Sequence, residues 1–167
     1  MAVIVVTGGG AQALADLLAV PGASKTVLEA FIPYSNNSLK EFLGESPRQA
    51  VSMETAAALA RVAYQRARRL HEDATVPVVG LACTATLVTD RPKKGEHRAN
   101  IGLCTKTHSH IYSLTLTKGA RDRHGEERVV SNLLLQVLAD GCGIQTSMDI
   151  GLLSSEQIRN ESTKTAI

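Results

Sequence analysis

The chain has 167 residues, 44% of them apolar and 20% charged, with a formal net charge of +2. That length and apolar fraction fit one domain with a core of ordinary size and argue against broad disorder, and the near-neutral charge argues against a general electrostatic attraction to nucleic acid or anionic membranes. The absence of Trp, the five other aromatic residues, and the three cysteines Cys83, Cys104 and Cys142 with no C-x-x-C pair argue against base-stacking platforms, a disulfide framework and a zinc knuckle.

Val3–Val6 is a short β-branched and apolar run that stops at Thr7-Gly8-Gly9-Gly10, which predicts a buried strand followed by a tight turn. From Ala11 to Val20 the apolar residues at 11, 14, 17 and 18 follow the helical period until Pro21-Gly22. Thr26–Tyr34 then reads as a second strand, at an edge because of Pro33, and Ser38–Leu43 as a short helix ended by Gly44. Thr55–His71 is the longest helical segment, with one apolar stripe and Arg61, Arg66, Arg68 and Arg69 mostly off it. Val76–Thr89 reads as a buried strand with an irregular turn around Gly80 to Thr86. Ile101–Thr107 and Ile111–Thr117 suggest an antiparallel hairpin through residues 107–110, and Glu126–Asp140 a last helix stopped by Gly141.

The order β-α-β-α-α-β-β-β-α predicts a three-layer α/β/α sandwich on a mixed sheet. Its expected bounds are a single domain over residues 1–150 and a frayed, polar tail over 151–167. The opening lacks a basic segment ahead of its short apolar run, so the expectation is a cytoplasmic protein with neither membrane nor nucleic acid as a partner.

Three stretches have the composition of a binding site. A strand that runs through Thr7, Gly8, Gly9 and Gly10 into a helix collects unpaired N–H groups and the positive end of the helix dipole, a chemical reason for an anion to bind. The alternative reading is a helix cap and a tight corner. Tyr34, Ser35 and Asn36, with Lys40 beyond them, gather polar groups where a strand gives way to a helix, or else simply form a turn and a cap. The densest local charge is Asp90–Arg98, where Arg91, Lys94 and Arg98 are candidates to clamp a phosphate or carboxylate, against the alternative of a solvated connector. The five histidines lack a metalloprotease-type spacing, so no metal and no cofactor are expected.

Taken together, TGGGAQALADLLAVPGAS, PYSNNSLKEFLG and VSMETAAALARVAYQRA resemble the CinA C-terminal family over about residues 3 to 140. The resemblance implies an α/β/α sandwich, often a homodimer, that binds a mononucleotide and hydrolyses the carboxamide of nicotinamide mononucleotide. The departures are specific. The family's serine nucleophile and the glutamate before it fall on Val5 and Ile4, and its lysine after Tyr-Ser-Asn falls on Leu39, one place before Lys40. The family's Gly-Ile-Ala-Gly-Pro loop falls on Gly80–Thr84. The stretch Arg91–Arg98 is similar to a CinA-like branch found ahead of a nucleotidylyltransferase-like domain. Two readings follow. One is a hydrolase acting on a C–N amide bond, with Thr7, Ser35 or Lys40 as substitute catalytic groups. The other is a non-catalytic ligand-sensing or dimerising module that works with a nucleotidylyltransferase domain and keeps the glycine turn without the chemistry.

Overall fold

The computed structural model describes residues 1–165. Six strands and four helices follow in chain order: β1 (Ala2–Thr7), α1 (Ala11–Leu18), β2 (Val27–Phe31), α2 (Asn36–Leu43), α3 (Met53–Leu70), β3 (Val79–Thr86), β4 (His97–Cys104), β5 (His108–Leu116), α4 (Arg123–Gly141) and β6 (Ile158–Lys164). They build one mixed sheet in the order β2-β1-β3-β4-β5-β6. β1 lies between two parallel neighbours, β2 and β3, and every later pairing is antiparallel. No helix among the described residues is long and apolar enough to cross a membrane.

Strand alternation sorts the core into two layers. Ile4 and Val6 face α1 and α4, packing with Ala13, Leu14, Val130, Leu133 and Leu134. Val3 and Val5 face the other way, onto Leu39 of α2 and Leu59, Ala60 and Ala63 of α3. The helix α3 sits unusually low on the sheet, because a Cβ at Gly80 would come within 2.1 Å of the Ala60 carbonyl oxygen and one at Gly102 within 2.4 Å of the Ala56 oxygen. Two glycines under one helix are what permit that close approach.

The expected three-layer sandwich on a mixed sheet is the architecture found, and several bounds move. Gly80–Thr84 lies in the middle of β3, paired regularly to β1 and β4, so neither an irregular turn nor a substrate-facing loop exists there. β4 begins at His97, which takes His97 and Arg98 out of the charged loop and into a strand. The hairpin turns at Thr105–Thr107, where the Thr105 hydroxyl accepts from the His108 N–H at 3.0 Å. The expectation of a frayed tail is corrected as well: β6 pairs along β5 from Ile158 to Lys164. Residues 166 and 167 lie outside the described residues. The chain reaches β6 by running back along α4. Gln136 Oε1 accepts from the Thr146 hydroxyl at 2.6 Å, and Arg121 clamps Glu156 with bonds of 2.7 and 2.8 Å.

Candidate functional site

Two faces meet at the carboxyl ends of β1 and β3, the crevice where α/β sheets collect ligands. On the α1/α4 side is a cleft of about 380 Å³. Its walls include Gly8, Gly9, Gln12, Ile32, Tyr34, Arg123, His124 and Glu127. Gly8, Gly9 and Tyr34 were expected from sequence; the three α4 residues were not, since the last helix was expected to begin only at Glu126 and nothing local marks Arg123, His124 or Glu127 as facing the glycine corner.

Those α4 residues determine what the glycine corner does. Gly8 has a φ of +80° and Gly10 one of +93°, so the turn requires glycine at both places. The N–H groups of Gly10 and Gln12 donate to the two carboxylate oxygens of Glu127 at 3.1 and 3.0 Å, and the Ala13 N–H to the Ser131 hydroxyl at 3.2 Å. The start of α1 is therefore capped from a helix more than a hundred residues later in the chain. Arg123 fixes the other side of the turn, donating to the Gly8 carbonyl at 2.9 Å and to that of Val88 at 3.0 Å. Beneath the corner Cys83 is fully buried, and burial, reinforced by the Glu127 charge, pushes its thiol far above the usual range. It is an inert core thiol rather than a nucleophile.

On the α2/α3 side a polar row crosses the sheet. Thr7 pairs with Thr84, Thr84 with Asn100, and Asn100 with Ser113. Thr7, Thr84 and Asn100 are all buried. The segment before α3 closes over this row: the Thr84 hydroxyl donates to the Ser52 carbonyl at 3.4 Å, and Arg98 to that of Val51 at 3.1 Å. Ser35 is the cap of α2, its hydroxyl accepting from the Ser38 N–H at 3.1 Å, while Asn36 and Lys40 are exposed. Val5 and Leu39 are 0% and 2% exposed within one apolar cluster.

The charged stretch divides into outward and inward halves. Arg91 and Lys94 are exposed, Arg91 with the neighbouring Asp90 at 4.0 Å. Lys93 turns inward to the Thr86 hydroxyl at 2.6 Å, and His97 Nδ1 meets the fully buried Glu126 at 2.6 Å. Glu126 also accepts from the Val88 N–H at 2.8 Å. A larger groove of about 650 Å³ lies elsewhere, between residues 43–49 and the outer face of α3. It carries Glu45 and Glu54 against Arg48 and Arg61 and includes none of the expected site residues.

The model of the CinA C-terminal domain matches residues 5–139. The chain belongs to that family. Among solved structures it is similar to a competence-damaged protein (CinA) superfamily protein from Escherichia coli, at 19% identity and a TM-score of 0.62 over 81% of this chain and 77% of that one. It is also similar to a competence or damage-inducible protein from Enterobacter asburiae (13% identity, TM-score 0.59, 83% of this chain and 86% of that one). The competence/damage inducible protein CihA from Agrobacterium tumefaciens is similar at 18% identity and a TM-score of 0.58, over 82% of this chain and 83% of that one. At such identities the likeness carries the fold alone. No curated protein matches the chain.

Proposed function

We propose that this CinA-family chain binds a nucleotide or another phosphorylated small molecule and has lost amide hydrolysis. The observation that supports this reading is the burial of Val5 and Leu39 in one apolar cluster, at the two positions where the family pattern has a serine and a lysine. An apolar pair offers neither a nucleophile nor a proton. Thr7 is buried at 7% exposure, the Ser35 hydroxyl caps α2, and Lys40 stands in solvent on α2. Binding is a different matter, since a cleft of about 380 Å³ is of small-molecule size. Tyr34 and Ile32 present it with exposed apolar surface for a ring, and Arg123 and Glu127 offer charge to orient one.

The test is proton NMR of nicotinamide mononucleotide with near-stoichiometric protein over a day. The expected result is broadening of the ring resonances that weakens in a Tyr34→Ala variant, with no acid product. Accumulating product, abolished in a Thr7→Ala, Ser35→Ala double variant, would overturn the loss of chemistry and identify a relocated nucleophile.

A further inference from the structure

Four cationic side chains, Lys93, Arg98, Lys118 and Arg123, gather around the connection from β3 to β4. Each is anchored on main-chain carbonyls. Lys93 donates to the Leu87 carbonyl at 2.5 Å and also to the Thr86 hydroxyl at 2.6 Å, Arg98 to Val51 at 3.1 Å, Lys118 to Lys93 at 2.6 Å and Lys94 at 3.4 Å, and Arg123 to Val88 and Gly8 at 3.0 and 2.9 Å. Among the described residues none of the four forms an ion pair. The Lys93 ammonium is held below its usual range chiefly by burial; Glu126 opposes this, and Arg123, Lys118 and Arg98 add repulsion. Glu126 itself is engaged by His97 and by the Val88 N–H.

Like charges brought together at a surface cost free energy unless an anion joins them. With three donors on an ammonium and five on a guanidinium, this anchoring leaves one N–H on each lysine and several on each arginine, and it fixes their direction. That is preorganisation for an anion with several acceptor oxygens. The glycine corner does not offer the same, because Glu127 already takes the N–H groups of Gly10 and Gln12.

We propose that Lys93, Arg98, Lys118 and Arg123 form a subsite for a multiply charged phosphate group of a small molecule, at the carboxyl end of β3. The proposal rests on reading the chain as a ligand-binding domain, and it names the part of the ligand that the charged end recognises. Arg123 also lines the cleft beside Tyr34, so a ring in the cleft and a phosphate on the cluster share one guanidinium. The exposed Arg91 and Lys94 stand outside this set.

The experiment is isothermal titration calorimetry of the full chain with inorganic diphosphate at ~0.15 M salt, where weak surface attraction is screened. Saturable binding at one site is expected, weakened at least about tenfold by Lys93→Ala or Lys118→Ala, a loss of about 1.4 kcal/mol each. Arg61→Ala, which removes a cation from the larger groove, leaves it unchanged. A footprint on the unsubstituted chain covers the case of a variant that does not fold: diphosphate should protect Lys93 and Lys118, but not Lys40, from an amine-acetylating reagent read by mass spectrometry. No binding, or binding and acetylation indifferent to these two lysines, overturns the proposal. Failure of the cleft reading looks different, because nicotinamide mononucleotide would then bind indifferently to Tyr34→Ala while the response to diphosphate stayed intact.

Discussion

Gly8 and Glu127 show how little of the glycine corner is free. An added Cβ at Gly8 would lie 1.9 Å from the Ala85 carbonyl oxygen, and the residue's φ of +80° is unfavourable for any side chain. A left-handed residue costs roughly 1–2 kcal/mol and overpacking a rigid neighbour roughly 1–3 more, so Gly8→Ala is expected to destabilise by about 3 kcal/mol or more. Gly22 separates the two effects. It has a φ of +88° with nothing within 4 Å of its added Cβ, so Gly22→Ala should cost only about 1 kcal/mol. Urea unfolding of the two variants side by side checks the difference, and equal losses would remove the role of the β3 backbone. Glu127→Ala leaves the Gly10 and Gln12 N–H groups without their acceptor and should cost about 2 kcal/mol, with m unchanged, in the same assay.

The return of the chain from α4 to β6 is held by one ionised cluster. Glu156 accepts from Arg121 twice, from the Thr117 N–H at 2.8 Å and from the Leu153 N–H at 2.9 Å, with its side chain at 0% exposure. The Arg121 hydrogen bonds, against a cost of burial and with help from the two N–H groups, hold its carboxyl at about 2 instead of 4.5. A lowered folded-state value means stability that is whole above pH 4.5 and lost as pH falls toward about 2. The difference is of order 3 kcal/mol at one pH unit per 1.4 kcal/mol. Glu156→Gln should therefore lower stability at pH 7 and flatten its decline between pH 4.5 and 2.5, read by urea midpoints at several pH values. An unchanged acid limb would mean that other carboxylates carry it. This element was also the hardest to see in the sequence. Ile158–Lys164 is IRNESTK, largely exposed on a sheet edge, and an edge strand with no buried face leaves no apolar alternation to read. Most of the buried strands and the amphipathic helices, in contrast, were legible because each buries a definite face, although Gly80 suggested a turn inside β3 and the charge at His97 and Arg98 hid the start of β4.

At the scale of the whole molecule, site legibility divides by the range of the contacts involved. Local signals were readable: the glycine turn, the Ser35 cap and the density of charge before β4 all come from neighbours in sequence. The groups that decide what those signals do lie far along the chain. Glu127 and Arg123 reach the corner from α4, and Lys118 reaches Lys93 from the end of β5. No periodicity reports such meetings, which follow only from the sheet order and the packing of α4 across it. The same reasoning bears on restoring the family's chemistry. Val5→Ser, Leu39→Lys and Lys40→Ala together would recreate its serine and lysine, but in a cluster shared with Leu59, Ala60 and Ala63 that is closed to water. A buried hydroxyl without a partner costs roughly 1–3 kcal/mol beyond the lost apolar burial, and an ammonium there more, against a total stability of about 5–15 kcal/mol. The triple variant is thus expected to lose about 3 kcal/mol or more and to release no acid from nicotinamide mononucleotide, followed by urea unfolding and proton NMR together. A folded variant that hydrolyses the amide would show instead that the pocket survives beneath the apolar pair, and that these three substitutions suffice for catalysis.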